Sequence, residues 1–202
     1  MLTMTSALDR AERQYGDRVA ITDGKQNFTW AEHIGRVRQA ANMLGELGIK
    51  AGVRFAVICE NSYRYMELLH AGYWSGAIPV PINHRLAPPE IRHILDDAEC
   101  KYLFLGADFL GLPDAEDVAP WRKRVVYVGP RLGDREYPQY EELIGDADGL
   151  DAIEAGEDDL ALLLYTGGTT GKSKGVRLSH KNISANGMQS HMAMGIRTDD
   201  RF

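Results

Sequence analysis

The sequence predicts an α/β fold, a parallel sheet flanked by helices. Three observations lead there. Short apolar runs alternate with stretches of helical periodicity across residues 53–105, in the order strand, helix, strand, helix, strand, which builds a parallel sheet covered by helices. Helix-start and helix-stop residues bracket the periodic stretches. The 202 residues are 44% hydrophobic and 26% charged, close to the balance of globular domains and long enough to bury a core.

The elements follow in order. Residues 19–22 and 27–29, joined across Asp23-Gly24, read as a hairpin with a glycine-containing turn. Thr29-Trp30-Ala31-Glu32 reads as a capping box, with Thr29 capping and Glu32 reaching back. Trp30, Ile34, Val37, Ala41 and Leu44 then fall at helical spacing, and Gly48 supplies the stop. Residues 53–59 form a buried-strand pattern. Asn61 and Ser62 can cap a helix running to Ser75, and Gly76 ends it. Residues 77–82 form a second strand, placed at an edge or a strand start by Pro79 and Pro81. Pro88 and Pro89 suit a first helical turn, with Ile91, Ile94, Leu95 and Ala98 on the buried face. Strands over 101–105 and 124–128 and a helical turn over 138–144 complete this part.

Residues 141–159 carry nine carboxylates and no Lys or Arg. They lack the regular ligand spacing of a calcium loop, so the stretch reads as a solvated connector. The chain accordingly divides into an N-terminal α/β subdomain (1–140), an acidic connector (141–158) and the incomplete start of a further subdomain (159–202).

Charge and composition narrow the function. Lys plus Arg is 23 and Asp plus Glu is 29, a net charge of −6, the wrong sign for a nucleic-acid clamp. Cys59 and Cys100 fall in no metal or redox spacing and point to a reducing compartment. The N-terminal stretch carries Asp9, Arg10, Glu12 and Arg13 in place of a signal peptide's apolar core. No apolar run reaches the ~18 residues of a membrane span. The expectation is a cytoplasmic protein with no transmembrane segment and no nucleic-acid partner.

One segment carries chemistry. An apolar run over 160–165, read as a central strand, leads directly into Thr166-Gly167-Gly168-Thr169-Thr170-Gly171-Lys172-Ser173-Lys174-Gly175. Glycines free the backbone to turn N–H groups inward, hydroxyls add donors, and such a concave set is an anion nest. Lysine adds a point charge for phosphate. The Walker A pattern fits at Gly171-Lys172-Ser173, but its first glycine falls on Thr166. Residues 174–178 also read as a second strand and not as the helix that pattern requires.

The segment from Tyr165 to Val176 closely resembles the AMP-binding signature of the adenylate-forming enzymes, acyl-CoA synthetases above all, whose loop usually reads Tyr-Thr-Ser-Gly-Thr-Thr-Gly-x-Pro-Lys-Gly-Val. Ser179-His180 resembles the family's Thr-His or Ser-His. Upstream, Tyr15-Gly16-Asp17 with Ala20-Ile21, Phe28-Thr29-Trp30-Ala31-Glu32, Glu60-Asn61-Ser62 and the stretch from Gly76 to Asn83 with Arg85-Leu86 are also similar, in the family's order. Gly167 stands where the family usually has serine, and Ser173 where it usually has proline. The first removes a hydroxyl and the second frees a backbone that the ring would stiffen. The glycines, Thr169, Thr170 and Lys174 remain.

The resemblance implies part of the large N-terminal domain of an adenylate-forming ligase, active in fatty acid metabolism or on a related acid. Its substrates would be a small-molecule carboxylic acid, ATP and CoA, with Mg²⁺ as cofactor. Phosphate binding would fall to Thr166, Gly167, Gly168, Thr169, Thr170, Gly171 and Lys174. Lys174 would stabilise the departing pyrophosphate, and Thr169 or Thr170 would reach Mg²⁺. Family members are more than twice this long, so the chain reads as an N-terminal fragment, inactive alone. The adenine segment, the ribose aspartate, the magnesium glutamate and the C-terminal catalytic lysine would belong to the remainder. A homodimer is a further expectation.

Two other classes stay open on the residues alone. One is a P-loop NTPase or kinase, carried by Lys172. The other is a nucleotide-free α/β interaction module in which the glycines only make a turn. The element after Gly175 separates the first of these from a ligase. His33, His70, His84, His93, His180 and His191 show no metal spacing and read as structural or surface residues, His180 alone matching the family. Asn83 and Arg85 are equally well a turn and a surface cation. Met188, Met192 and Met194 could edge an apolar pocket, but plain core packing is the favoured reading.

Overall fold

Local signals set most of the elements of the chain. In this computed structural model residues 2–131, 136–145, 147–168, 171–197 and 200 are described. An N-terminal helix α1 (Met4–Tyr15) precedes the hairpin β1 (Val19–Asp23) and β2 (Gln26–Thr29), which is antiparallel as the turn residues predict. Helix α2 (Trp30–Glu46) starts at the Thr29–Glu32 capping box: Glu32 N–H donates to the Thr29 hydroxyl at 3.2 Å, and Thr29 N–H donates to the Glu32 carboxylate at 2.8 Å. Strand β3 (Arg54–Ile58) leads to α3 (Tyr63–Ser75), capped by Ser62 and closed by Gly76 at φ +70°, a left-handed value that suits glycine. Strand β4 (Ile78–Pro81), helix α4 (Pro88–Asp97), strand β5 (Leu103–Gly106), three short 3₁₀ turns, strand β6 (Val125–Val128) and helix α5 (Tyr140–Gly145) follow.

The four strands β3 to β6 form one parallel sheet in the order β4-β3-β5-β6. β4 lies at the edge, where its two prolines leave no ladder donor missing inside the sheet. Strand alternation sends Phe55, Val57, Phe104 and Val126 to one face, under Ile34 and Val37 of α2 and Leu68 of α3. Ala56, Ile58, Leu103 and Leu105 go to the other face, under Ile91, Ile94 and Leu95 of α4.

The remainder departs from expectation in two places. The apolar run at 160–165 is not a central strand of this sheet. It belongs to β7 (Leu160–Gly168), which pairs antiparallel with β8 (Gly171–Ser179) in a separate two-stranded sheet beside β4. Only one side of the run is interior: Ala161 and Leu163 are buried while Leu164 is exposed. A continuous apolar sequence therefore marks a strand with two apolar faces, one of them uncovered here. The second departure is helix α6 (His180–Met194), started by Ser179 and Asn182 as a reciprocal cap. Met188, Met192 and Met194 are 42%, 74% and 64% exposed, so they are not core.

The acidic stretch also begins differently from a solvated connector. Glu141 lies in α5 and accepts from Arg36, from Arg64 Nε at 2.5 Å and from Tyr63 Oη at 2.9 Å. Arg36 also holds Glu67, whose side chain is fully buried, through Nε at 2.5 Å and Nη2 at 3.1 Å, and Tyr140 Oη donates to Glu67 at 3.0 Å. Burial pushes the Glu67 carboxyl upward against the pull of Arg36. At Glu141 burial also pushes upward, but Arg36 and Arg64 outweigh it and hold that carboxyl low. The network ties α2, α3 and α5 together.

Candidate phosphate-binding hairpin

Three places on the surface can be weighed as the site. A strand order of β4-β3-β5-β6 reverses direction between β3 and β5, and open parallel sheets bind ligands outside the carboxyl ends of the strands at that point. A cleft of about 240 Å³ lies there, lined among others by Asp23, Glu60, Asn61, Ser62, Arg64 and Asp108. The protein's own groups take up its anion-binding capacity. Asp23 Oδ2 accepts from Tyr63 N–H in the first turn of α3 at 3.1 Å, and Arg64 is held by Glu141. Three carboxylates line the opening, so a phosphate would meet repulsion. A wider hollow of about 560 Å³ runs along α2, but its Arg36 and Arg38 are paired with Glu67 and Glu12.

The β7–β8 hairpin has the opposite character. Between Leu160 and Ser179 it carries Lys172, Lys174 and Arg177 and no carboxylate. Among the described residues neither lysine has a salt-bridge partner. The register sets Leu164 opposite Val176, Tyr165 opposite Gly175, Thr166 opposite Lys174 and Gly168 opposite Gly171, with an irregularity between Thr166 and Gly168. Leu164, Thr166, Lys174 and Val176 are all exposed. By strand alternation they share the outer face, so a lysine and a hydroxyl stand side by side at its end nearest the tip.

The strands run further into the glycine segment than the sequence suggests. Thr166, Gly167 and Gly168 end β7 and Gly171 opens β8. The ten residues expected as one concave nest between two strands are largely strand, because cross-strand pairing continues up to Gly168 and Gly171. Thr169 and Thr170, the residues expected at Mg²⁺, lie outside the described residues. The element after Gly175 is a strand, against the helix that a Walker A loop needs.

The histidines act as structural groups. His33 and His70 share one hydrogen bond at 2.8 Å between α2 and α3. Burial first, and each ring's charged neighbour second, lower their pKa values to about 4 and about 3. His180 is buried, and its Nδ1 accepts from Met4 N–H at 3.2 Å, which joins α6 to α1. Among the described residues no group of three or more His, Cys, Asp or Glu side chains could hold a metal ion. No described helix is long and apolar enough to cross a membrane.

The structure thus sets a glycine-rich, lysine-bearing β-hairpin beside a parallel α/β layer, and comparison with known proteins places the chain in a family. The model of the AMP-binding enzyme family matches residues 8–202, and the chain belongs to that family. It is 33% identical over 193 residues to a 3-methylmercaptopropionyl-CoA ligase of Ruegeria lacuscaerulensis, covering 90% of this chain and 36% of that protein. It is 31% identical over 184 residues to a 2-succinylbenzoate–CoA ligase of Bacillus cereus, covering 91% and 34%. Among solved structures it superposes on a long-chain-fatty-acid-CoA ligase of Archaeoglobus fulgidus with a TM-score of 0.81 at 25% identity, covering 98% of this chain and 40% of that one. The chain thus spans between a third and two fifths of the length of these relatives.

Proposed function

We propose that the chain is the N-terminal portion of an ATP-dependent acid–CoA ligase. The whole protein would activate a fatty or related carboxylic acid as its acyl-adenylate, release pyrophosphate and pass the acyl group to CoA. One observation carries the reading: Lys174 and Thr166 stand opposite each other on the exposed face of a carboxylate-free hairpin whose second strand runs on through Gly175. The relatives named above are CoA ligases for chemically different acids, so the reading commits to the carboxylate and leaves its chain open. The two free cysteines fit a cytoplasmic setting. In this reading 1–140 is one subdomain, 141–158 its connector, and 159–202 the beginning of the next.

The reaction's difficulty is charge, since a carboxylate must attack a phosphate that already bears negative oxygens. Stabilisation comes from donors held in place before the charge develops. Lys174 would place its ammonium on the departing pyrophosphate, with the Thr166 hydroxyl beside it. The backbone N–H groups of Gly167, Gly168 and Gly171 would meet phosphate oxygens. The donor set fits an anion and offers a metal only hydroxyls, so Mg²⁺ would be held chiefly by the phosphates, with Thr169 or Thr170 adding one oxygen. When bound it supplies Lewis-acid neutralisation of the phosphoryl charge.

Acid-dependent pyrophosphate exchange by the full-length protein tests this. Lys174→Ala is expected to lose roughly ten- to hundredfold in rate, the worth of one hydrogen bond to a charged group, while Lys172→Ala loses far less. An inactive Lys172→Ala beside a healthy Lys174→Ala would overturn the assignment in favour of a P-loop.

A further inference from the structure

We infer that Tyr165 and Asp97, together with His93, are positioning residues that fix the direction in which the hairpin presents Lys174; the inference rests on the ligase reading above. The hairpin shares no ladder with the parallel sheet among the described residues, so side chains must set its orientation. Tyr165 lies on the inner face, opposite Gly175. Its hydroxyl donates to Asp97 Oδ2 at 2.5 Å, a bond to the last residue of α4 across 68 positions of sequence. Hydrogen bonds to a carboxylate are among the stronger ones a neutral donor makes.

Gly175 permits this arrangement. A Cβ there would lie 3.2 Å from Tyr165 Cζ and 3.1 Å from Leu163 Cδ1, so the ring lies close over the glycine and would have to give by a few tenths of an ångström to admit a side chain. One helical turn before Asp97, on the same face of α4, His93 Nε2–H donates to the Ser173 carbonyl at 3.3 Å. The two anchors therefore hold Ser173 and, through Tyr165, Gly175. These are the immediate neighbours of Lys174 on either side. With both neighbours held against α4, strand alternation turns Lys174 and Thr166 outward together. Burial, and then the Asp97 carboxylate, push the Tyr165 pKa above its ordinary value, which keeps the hydroxyl protonated as the donor.

The test uses Tyr165→Phe, Asp97→Ala and Asp97→Asn, the last retaining an acceptor oxygen. In the full-length protein, Tyr165→Phe and Asp97→Ala are expected to raise the KM for ATP about tenfold. The KM for the acid should stay within about twofold of wild type, and Asp97→Asn should restore most of the loss. In the 202-residue chain, amides of residues 171–176 in Tyr165→Phe should exchange with solvent about tenfold faster, with those of β3 and β5 unchanged. Faster exchange with an unaltered KM for ATP would make the contact merely structural and overturn this inference alone. An Asp97→Asn as impaired as Asp97→Ala would overturn it equally. A wild-type protein with no acid-dependent pyrophosphate exchange would overturn the ligase reading and this inference with it, whatever the amides do.

Discussion

The parallel α/β layer and the β7–β8–α6 arm are built to opposite rules. In the layer, alternate faces of every strand are covered, and the buried Glu67 is matched by Arg36 and Tyr140. In the arm, only the inner side of β7 reaches the core, through Ala161 and Leu163. Leu164 and Val176 face outward, and α6 exposes three methionines. The layer covers its apolar faces and pairs its buried carboxylate with its own residues, whereas the arm offers cationic and apolar groups that stay exposed. Apolar surface of that kind normally marks a place of contact, and exposed lysines with no salt-bridge partner among the described residues suit an anion.

This contrast can be broken most sharply in the layer. Glu67→Ala removes one of the two carboxylates on Arg36 and takes the acceptor from the buried Tyr140 hydroxyl, while Glu141 stays on Arg36. Losing such a partner typically destabilises by about 3–5 kcal/mol. The Arg36 side chain keeps 23% of its exposure and its pair with Glu141, so at most the lower end, about 3 kcal/mol, is expected in chemical denaturation. A change under about 1 kcal/mol would mean that the network is dispensable and the layer less self-contained than its contacts imply.

Acid should act next most strongly, and again on the layer. His33 and His70 have folded pKa values lowered to about 4 and about 3. Their unfolded values lie near 6.5, so the unfolded chain takes up protons first as the pH falls. Their contribution is therefore intact above pH ~7 and is lost as the pH drops through 6.5 towards 4, at up to about 1.4 kcal/mol per pH unit for each ring. Glu67, whose carboxyl is pushed upward, works in the opposite sense and softens the slope. Denaturation midpoints measured between pH 7 and 5 should fall for the wild type and fall less steeply for His70→Gln. Parallel slopes would remove the histidine pair from the account.

The smallest effect on stability belongs to the arm. Met192→Gln and Val176→Thr alter exposed side chains, and such changes usually stay within about 0.5 kcal/mol. Their expected effect lies elsewhere: less self-association in light scattering and less binding of a dye that reports apolar surface. If the wild-type chain is already a clean monomer that binds no such dye, the arm's apolar face is not adhesive and the comparison loses its second half.

Most of the candidate site was legible because its signals are local. Glycines, hydroxyls and lysines sit consecutively from Thr166 to Gly175, and residues 174–178 read correctly as a strand. The sequence overstated the loop, since glycine content does not reveal that β7 and β8 stay paired as far as Gly168 and Gly171. Asp97 and His93 were invisible as parts of it: nothing in a helical face over 88–97 announces which strand will lie against it. Glu141 was misread for the same reason, since a run of acids looks solvated until Arg36 and Arg64 are brought to it.

By itself the sequence determined what neighbouring residues can decide. The Thr29–Glu32 box starts α2, Ser62 and Gly76 bound α3, Pro88 opens α4, and the spacing of strands and helices dictates a parallel layer. Those outcomes follow from backbone dihedrals and hydrogen bonds that close within three or four residues. The tertiary structure decided which distant groups meet: Arg36 with Glu67 and Glu141, Tyr165 with Asp97, and β7 with β8 in place of the central sheet. Such meetings depend on how whole elements stack to remove apolar surface from water, and the hydrophobic drive behind stacking is non-directional. Particular polar partners are selected only once the elements have been brought together.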